Sequence, residues 1–159
     1  MQDETRRKDK LITEEEARAV LEKAEYGFLG TASSENEPYV VPLSFIVKQN
    51  KIYFHCAKEG KKLNNIAGNP SVCFCVVGAT EPIYDNGFST YYESCTVFGA
   101  AQEVMEESEK HEVLLDIARK YLPDHMDKAE DYITKFWTRT ALYAIPITRI
   151  TGKGRRKKS

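Results

Sequence analysis

Residues 38–65 read PYVVPLSFIVKQNKIYFHCAKEGKKLNN: two apolar segments, a polar break between them, and a lysine-rich segment that starts a helix. Residues 38–48 and 51–56 carry the aromatic and branched side chains that favour strands. The break at 49–50 is short enough for the second strand to pair back on the first. Residues 61–67 place their apolar side chains on one side, and an Asn-Pro pair stops that helix. This stretch predicts an antiparallel hairpin followed by a short helix.

A first helix precedes the hairpin. Thr13 and Glu16 have the spacing of a capping box, and the apolar residues that follow recur at helical intervals. We expect about three turns of helix, ended by Gly27. Residues 28–32 then have the composition of a strand, and the polar stretch 33–37 is typical of the turn into the next strand.

The remainder of the chain alternates β segments with two late helices. We expect a strand over 71–77, a loop over 78–89, a long strand over 91–104, helices on either side of Pro123 and a final strand over 141–151. Because strands mostly follow one another without crossover helices, an antiparallel barrel with attached helices is favoured over a doubly wound sheet. The sequence also lacks the glycine-rich turns of the two commonest nucleotide-binding α/β folds.

Length and charge indicate one ordinary globular domain. The chain has 159 residues and a formal net charge of −1, which fits a single domain at residues 1–152. Residues 153–159 contain a run of lysine and arginine and are predicted to form a solvated basic C-terminal tail. The nearly neutral total argues against a nucleic-acid-binding domain, and only this tail keeps that alternative open.

The chain shows no sign of a membrane span, a secretory signal or a metal site. Its apolar segments are far shorter than the roughly 20 residues that cross a bilayer. The first ten residues are charged, so we expect a cytoplasmic protein. The four cysteines fall in predicted strands without the spacing of zinc knuckles, and we expect free thiols.

Pro42 stands in the middle of an apolar strand. Proline cannot donate a ladder hydrogen bond, so this strand should be a sheet edge or bulged there. Neighbouring backbone groups would then be free to meet a ligand. The alternative is an edge proline without function.

Lys61 and Lys62 follow Gly60 at the predicted start of a helix. The helix dipole places positive potential there, which ordinarily favours acidic residues. A bound anion such as a phosphate would resolve this mismatch, since helix amides and cations both suit it. The alternative is a solvated pair of lysines.

His55 and Trp137 are candidates of a different kind. His55 ends a strand close to the lysine pair, where it could hydrogen-bond a planar cofactor or serve as an axial haem ligand, or be merely structural. Trp137 follows the last predicted helix and could line a cofactor or substrate cavity, although aromatic side chains in a domain of this size are mostly core.

The order of motifs resembles one family over nearly the whole chain. The segments GFLGTA, PYVVPLSF, IYFHCAKEGKKLNNI, NPSVCF, SCTVFGAAQEV and ALYAIPITRITGK are similar to those of the pyridoxamine 5'-phosphate oxidase-like FMN-binding split barrels, in particular the nitroimidazole-resistance group. The resemblance implies a mainly β (α+β) fold, a six-stranded antiparallel split β-barrel with peripheral helices. It also implies a homodimer with FMN between the subunits.

The same resemblance assigns the cofactor-binding residues. Three groups are implied: residues bordering the isoalloxazine ring, residues on the adjoining strand, and residues near the phosphate and ribityl chain. These are Pro42, Leu43 and Ser44 for the ring; His55, Cys56 and Ala57 for the strand; and Lys61, Lys62, Asn65 and Ser94 for the phosphate and ribityl chain.

The resemblance further implies an FMN-dependent oxidoreductase. The C-terminal ALYAIPITRITGKGRRKKS does not resemble the arginine-containing ending of pyridoxamine 5'-phosphate oxidase itself, which argues against vitamin B6 oxidation. The expected reaction is reduction of a small oxidised acceptor, such as a nitroaromatic compound, by reduced FMN. Two alternatives stay open: a flavin-binding or flavin-sensing module without turnover, and a haem-binding protein on the same barrel.

Overall fold

A computed structural model describes residues 6–84 and 88–156. The strands within them are β1 (Leu11–Ile12), β2 (Tyr26–Ala32), β3 (Pro38–Ser44), β4 (Ile46–Lys48), β5 (Lys51–Ala57), β6 (Ser71–Ile83), β7 (Ser89–Ala100), β8 (Gln102–Glu103), β9 (Thr140–Pro146) and β10 (Arg149–Arg155). The α-helices are α1 (Glu14–Lys23), α2 (Lys61–Gly68), α3 (Glu107–Tyr121) and α4 (Ala129–Phe136), and short 3-10 helices cover Lys8–Lys10, Pro123–Lys128 and Trp137–Arg139.

The strands form two antiparallel sheets. The larger has the order β1-β10-β7-β6-β2-β3 and the smaller the order β4-β5-β9-β8. The prediction of an antiparallel, mainly β fold with peripheral helices is confirmed. The strands outnumber the six predicted, because the chain breaks at Phe45 and again at residues 147–148, and two of the strands have only two residues.

A main core fills the space between the sheets and α1. Strand β6 shows how the pattern builds it: Val72, Phe74 and Val76 are buried, whereas Cys73 and Cys75 between them are only half-buried. This alternation follows from the two-residue period of a strand. A second apolar cluster lies where α3 covers the smaller sheet, with Val113, Ile117 and Leu142 among its buried members.

Helix α1 begins as predicted and ends earlier. The Thr13 hydroxyl accepts from the Glu16 amide at 3.2 Å and the Glu16 carboxylate accepts from the Thr13 amide at 2.7 Å, which completes the capping box. The prediction that Gly27 ends the helix is wrong. The chain is already extended at Ala24, and Gly27 pairs with Leu43 inside β2.

The predicted loop over 78–89 is largely a two-stranded extension of the sheet. Strand β6 has a bulge between Val77 and Thr80 and then pairs with β7 from Thr80↔Tyr92 to Ile83↔Ser89. The glycine and proline in this segment are typical of loops, but its hydrogen bonds to β7 keep the chain extended. Residues 85–87 lie outside the described part.

The last predicted strand is two strands, and the second runs past residue 151. Strand β10 pairs with β7 as far as Arg155↔Tyr92, so residues 153–155 belong to the sheet and not to a tail. The next residue, Arg156, forms ion pairs with Glu16 and Glu93. Lys157 and Lys158 lie outside the described residues.

No helix in the described ranges is both long enough and apolar enough to cross a membrane.

Candidate functional site

The split between the two sheets is bordered by unpaired strand edges. Strand β3 is the last strand of the larger sheet and pairs only with β2. Strand β5 pairs with β9 along its whole length, but with β4 only over residues 51–53. Cα atoms of β3 and β5 come within 8 Å of each other. Backbone donors and acceptors of both strands can therefore reach a ligand in the split.

Of the three predicted site residues on β3, two have solvent-accessible side chains. Pro42 is exposed on the edge strand, as predicted, and Ser44 is half-exposed at its end. The side chain of Leu43 packs against the main core. Leu43 can thus meet a ligand mainly through its backbone.

Strand β5 alternates in the same way. His55 and Ala57 are exposed, while Cys56 between them packs against the main core. Burial raises the pKa of the Cys56 thiol, and the nearby Lys62 ammonium acts in the opposite direction. Although the His55 side chain reaches solvent, desolvation by surrounding protein lowers its pKa. Desolvation therefore favours the neutral imidazole of His55, which can donate at one nitrogen and accept at the other.

The start of α2 is open to an anion. Gly60 adopts φ 135°, a conformation that L side chains rarely take, and its carbonyl accepts from the Leu63 and Asn64 amides. No side chain caps the helix. Among the described residues, the amides of Lys61 and Lys62 find no acceptor. Two free amides and two lysine residues therefore occur together at the start of α2.

The two lysines differ in their surroundings. The Lys61 ammonium lies 3.0 Å from the Glu37 carboxylate and 5.6 Å from the centre of the Tyr39 ring. Lys62 is half-buried, and no carboxylate in the described ranges lies within ion-pair distance of it. Lys62 is therefore the cation whose charge is less compensated by the protein itself.

Asn65 faces the sheet. It is 4% exposed, and its amide donates to the Thr31 hydroxyl at 3.0 Å, which in turn donates to the Tyr39 carbonyl at 3.3 Å. This chain fixes α2 against β2 and β3. Because the Asn65 side-chain amide already donates to Thr31, Asn65 supports the start of α2 from within the protein.

Ser94 and Trp137 do not join this group. Ser94 lies between Val77 and Lys153 on the outer face of the larger sheet. Trp137 packs against the second cluster, with the Lys110 ammonium 4.2 Å above its ring. They lie on other elements, Ser94 on β7 and Trp137 at the start of the short helix Trp137–Arg139.

Sequence reasoning missed Glu37, Tyr39 and Thr31. Glu37 falls in a polar turn, where an acidic residue is common and gives no signal of function. Tyr39 and Thr31 look like ordinary strand residues. Only the pairing of β2 with β3, in register Thr31↔Tyr39, brings them beside α2. A long-range contact of this kind leaves no local signal in one sequence.

The split combines groups that suit a flat, phosphorylated ligand. The strand edges and neutral His55 offer hydrogen bonds to a polar ring system. The α2 end offers positive charge and free amides to a phosphate. These donors fit FMN.

Comparison with known proteins identifies a family. The family model described as pyridoxamine 5'-phosphate oxidase matches residues 13–154. No curated protein sequence matches the chain significantly.

Several solved structures share the fold. A candidate 5-nitroimidazole antibiotic resistance protein from Bacteroides thetaiotaomicron is 23% identical, with a TM-score of 0.75 over 90% of this chain and 85% of that one. The flavocytochrome Anf3 from Azotobacter vinelandii is 18% identical, with a TM-score of 0.83 over 97% and 73%. An FAD-binding protein from Mesorhizobium loti is 23% identical, with a TM-score of 0.65 over 92% and 97%.

At these identities the structures establish the shared split-barrel fold, and the family rests on the sequence model. Since that model spans the chain from the cap of α1 to the end of β10, this protein belongs to the pyridoxamine 5'-phosphate oxidase family.

Proposed function

We propose that the chain binds FMN in the split between β3, β5 and α2 and uses it to reduce a small oxidised acceptor, such as a nitroaromatic compound. The observation that carries the proposal is the start of α2. Two lysines and two free amides lie there at one end of a split whose walls are unpaired strand edges. A solved protein of the same fold is named for nitroimidazole resistance and another for FAD binding, which supports a flavin in this split.

Each group has a distinct task in this proposal. Lys61 and Lys62 would hold the phosphate together with the free α2 amides. Backbone groups of Pro42–Ser44 and of residues 55–57 would hydrogen-bond the ring system, and a neutral His55 would add a donor without adding charge. Bound flavin supplies the electron transfer, whereas the protein orients it and limits access of water.

We further propose a homodimer through the outer face of the larger sheet. Phe28, Val40 and Val77 are 45%, 61% and 50% exposed on this face, and register places Phe28 beside Cys75 and Gly30 beside Val40. A second copy would remove these apolar side chains from water. Ser94 lies on the same face, so it would approach a flavin only by way of the partner subunit. A cytoplasmic location also remains a prediction.

Absorption spectroscopy of the purified protein, followed by anaerobic reduction, tests the function. Oxidised flavin absorbance that is bleached by NADH or NADPH and restored by a nitroaromatic acceptor is the expected result. A haem spectrum would favour the haem-binding alternative. Flavin that binds but is never reduced and reoxidised would favour the binding module, and absence of any flavin binding would refute the proposal.

A further inference from the structure

The last two residues of α3 reach two distant parts of the chain. The Lys120 ammonium donates to the Ala24 carbonyl at 2.8 Å and to the Phe45 carbonyl at 2.9 Å. The Tyr121 hydroxyl accepts from the Phe45 amide at 2.9 Å and can donate to the carbonyl of Glu25 or Phe45. We call Lys120 and Tyr121 the α3 clamp.

Phe45 is the corner where the chain leaves one sheet for the other. Strand β3 pairs with β2 up to Ser44, and β4 pairs with β5 from Ile46, so neither ladder includes Phe45. The residue is completely buried, its ring 4.8 Å from that of Phe74. Buried backbone groups require partners, and the α3 clamp supplies them.

The clamp also contacts the aromatic ring of Phe45. The Lys120 ammonium lies 4.2 Å from the centre of the Phe45 ring. Burial raises the pKa of Tyr121, and hydrogen bonds to the Phe45 backbone and to the Ser44 side chain act against that rise. The clamp therefore touches the strand end that borders the split.

We propose that Lys120 and Tyr121 are positioning residues for the flavin, because they fix the corner that sets the edge of β3 against β5. This inference rests on the proposed function. Neither side chain lies among the predicted cofactor-binding residues, and both act on the site through the backbone of Phe45. The edge of β3 faces the ring system, which FMN and riboflavin share, so the clamp should matter equally for both ligands.

Two substitutions test the clamp. Tyr121→Phe removes only the hydroxyl, and Lys120→Met removes the ammonium but retains a side chain of similar length against Phe45. Each should raise the dissociation constants of FMN and of riboflavin together, by about tenfold, since buried backbone groups lose a partner. The absorption spectrum of bound flavin should shift as well. Tyr132→Phe and Lys135→Met, exposed on α4, are the matched controls and should bind both ligands normally.

The outcomes separate this inference from the proposed function. If the unaltered protein binds neither ligand, both proposals fail. If it binds both, but the clamp variants melt at a lower temperature with unchanged affinities and spectra, the clamp only stabilises the fold and the inference is overturned. A loss confined to FMN would also overturn it, because it would place the effect at the phosphate. Failure of both variants to fold would make the clamp a core element and overturn the positioning role.

Discussion

Lys61 and Lys62 provide the most direct test of the phosphate site. Replacing both with Ala should weaken FMN binding at least tenfold, because charge-assisted hydrogen bonds contribute about 1.5–3 kcal/mol each. Riboflavin, which has no phosphate, should bind almost as before. Flavin fluorescence titrations of both ligands measure this, with Lys135→Ala as control. Equal losses for the two ligands would mean that the lysines support the fold and not the phosphate.

In the proposed site, Glu37 would compete with the phosphate for Lys61. Its carboxylate lies 3.0 Å from the Lys61 ammonium, and both partners are solvent-exposed, so the pair itself stabilises the protein little. Glu37→Gln should strengthen FMN binding a few-fold, most clearly at low salt, because a like charge next to the phosphate is removed. Glu35→Gln, in the same turn, is the control. Weaker FMN binding in Glu37→Gln would show instead that Glu37 orients Lys61 for the ligand.

The sequence alone singled out candidate site residues whose chemistry does not suit their place in a strand or helix. Pro42 is on an edge strand because a ladder cannot use it, and Lys61 and Lys62 begin a helix where acids are expected. The role of Asn65 could not be predicted in this way. Its buried bond to Thr31 depends on a contact 34 residues away.

At the scale of elements, the two sheets contact each other closely at Gly99. A Cβ placed there would overlap the carbonyl oxygen of Pro146 and lie 2.8 Å from Ile145 Cγ2. Gly99→Ala should therefore lower the free energy of unfolding by about 1–3 kcal/mol through overpacking. Gly68→Ala, where a Cβ would meet Ser34 at 3.5 Å, should have a much smaller effect. Thermal or urea unfolding measures both, and equal stabilities would refute this account of the sheet contact.

Most elements could be predicted from periodicity and caps, and the errors share one cause. The capping box of α1, the hairpin of β4 and β5, and α2 depend on neighbours close in sequence. The extension of β6 through Gly78 and Pro82 depends on pairing with β7, and the break at Phe45 depends on α3. Tertiary pairing and packing overrule local propensity at both places: β7 is the next strand along the chain, whereas Lys120 lies 75 residues from Phe45.

At the scale of the whole molecule, the proposed homodimer would form through the outer face of the larger sheet. We expect light scattering to give the mass of a dimer. Val40→Glu combined with Val77→Glu should give a monomer and weaken FMN binding, since charges would replace apolar side chains in the proposed interface. Met105→Glu, on an exposed residue outside that sheet, is the control. A monomer that binds FMN as tightly as the unaltered protein would remove the partner subunit from the flavin site.

The class of fold followed from the order of strands and helices, but the division into two sheets did not. Consecutive strands predicted antiparallel pairing, which the structure has throughout. Which strand is an edge depends on closure in space: β10 inserts between β1 and β7, and β9 between β5 and β8. The split that forms the candidate site is a product of that closure.

Glu16 couples the first helix, α1, to the last strand, β10, so protonation of this one carboxylate affects the stability of both. Its carboxylate accepts from the Thr13 amide that caps α1 and from Arg156 beyond β10. Both bonds lower its pKa below the ordinary value near 4.5. Their stabilisation is complete above that value and is lost as acid takes the pH down through the lowered pKa. Acidification should therefore release the first helix and the last strand together, seen as early amide exchange in both, and exchange confined to one of them would contradict the coupling.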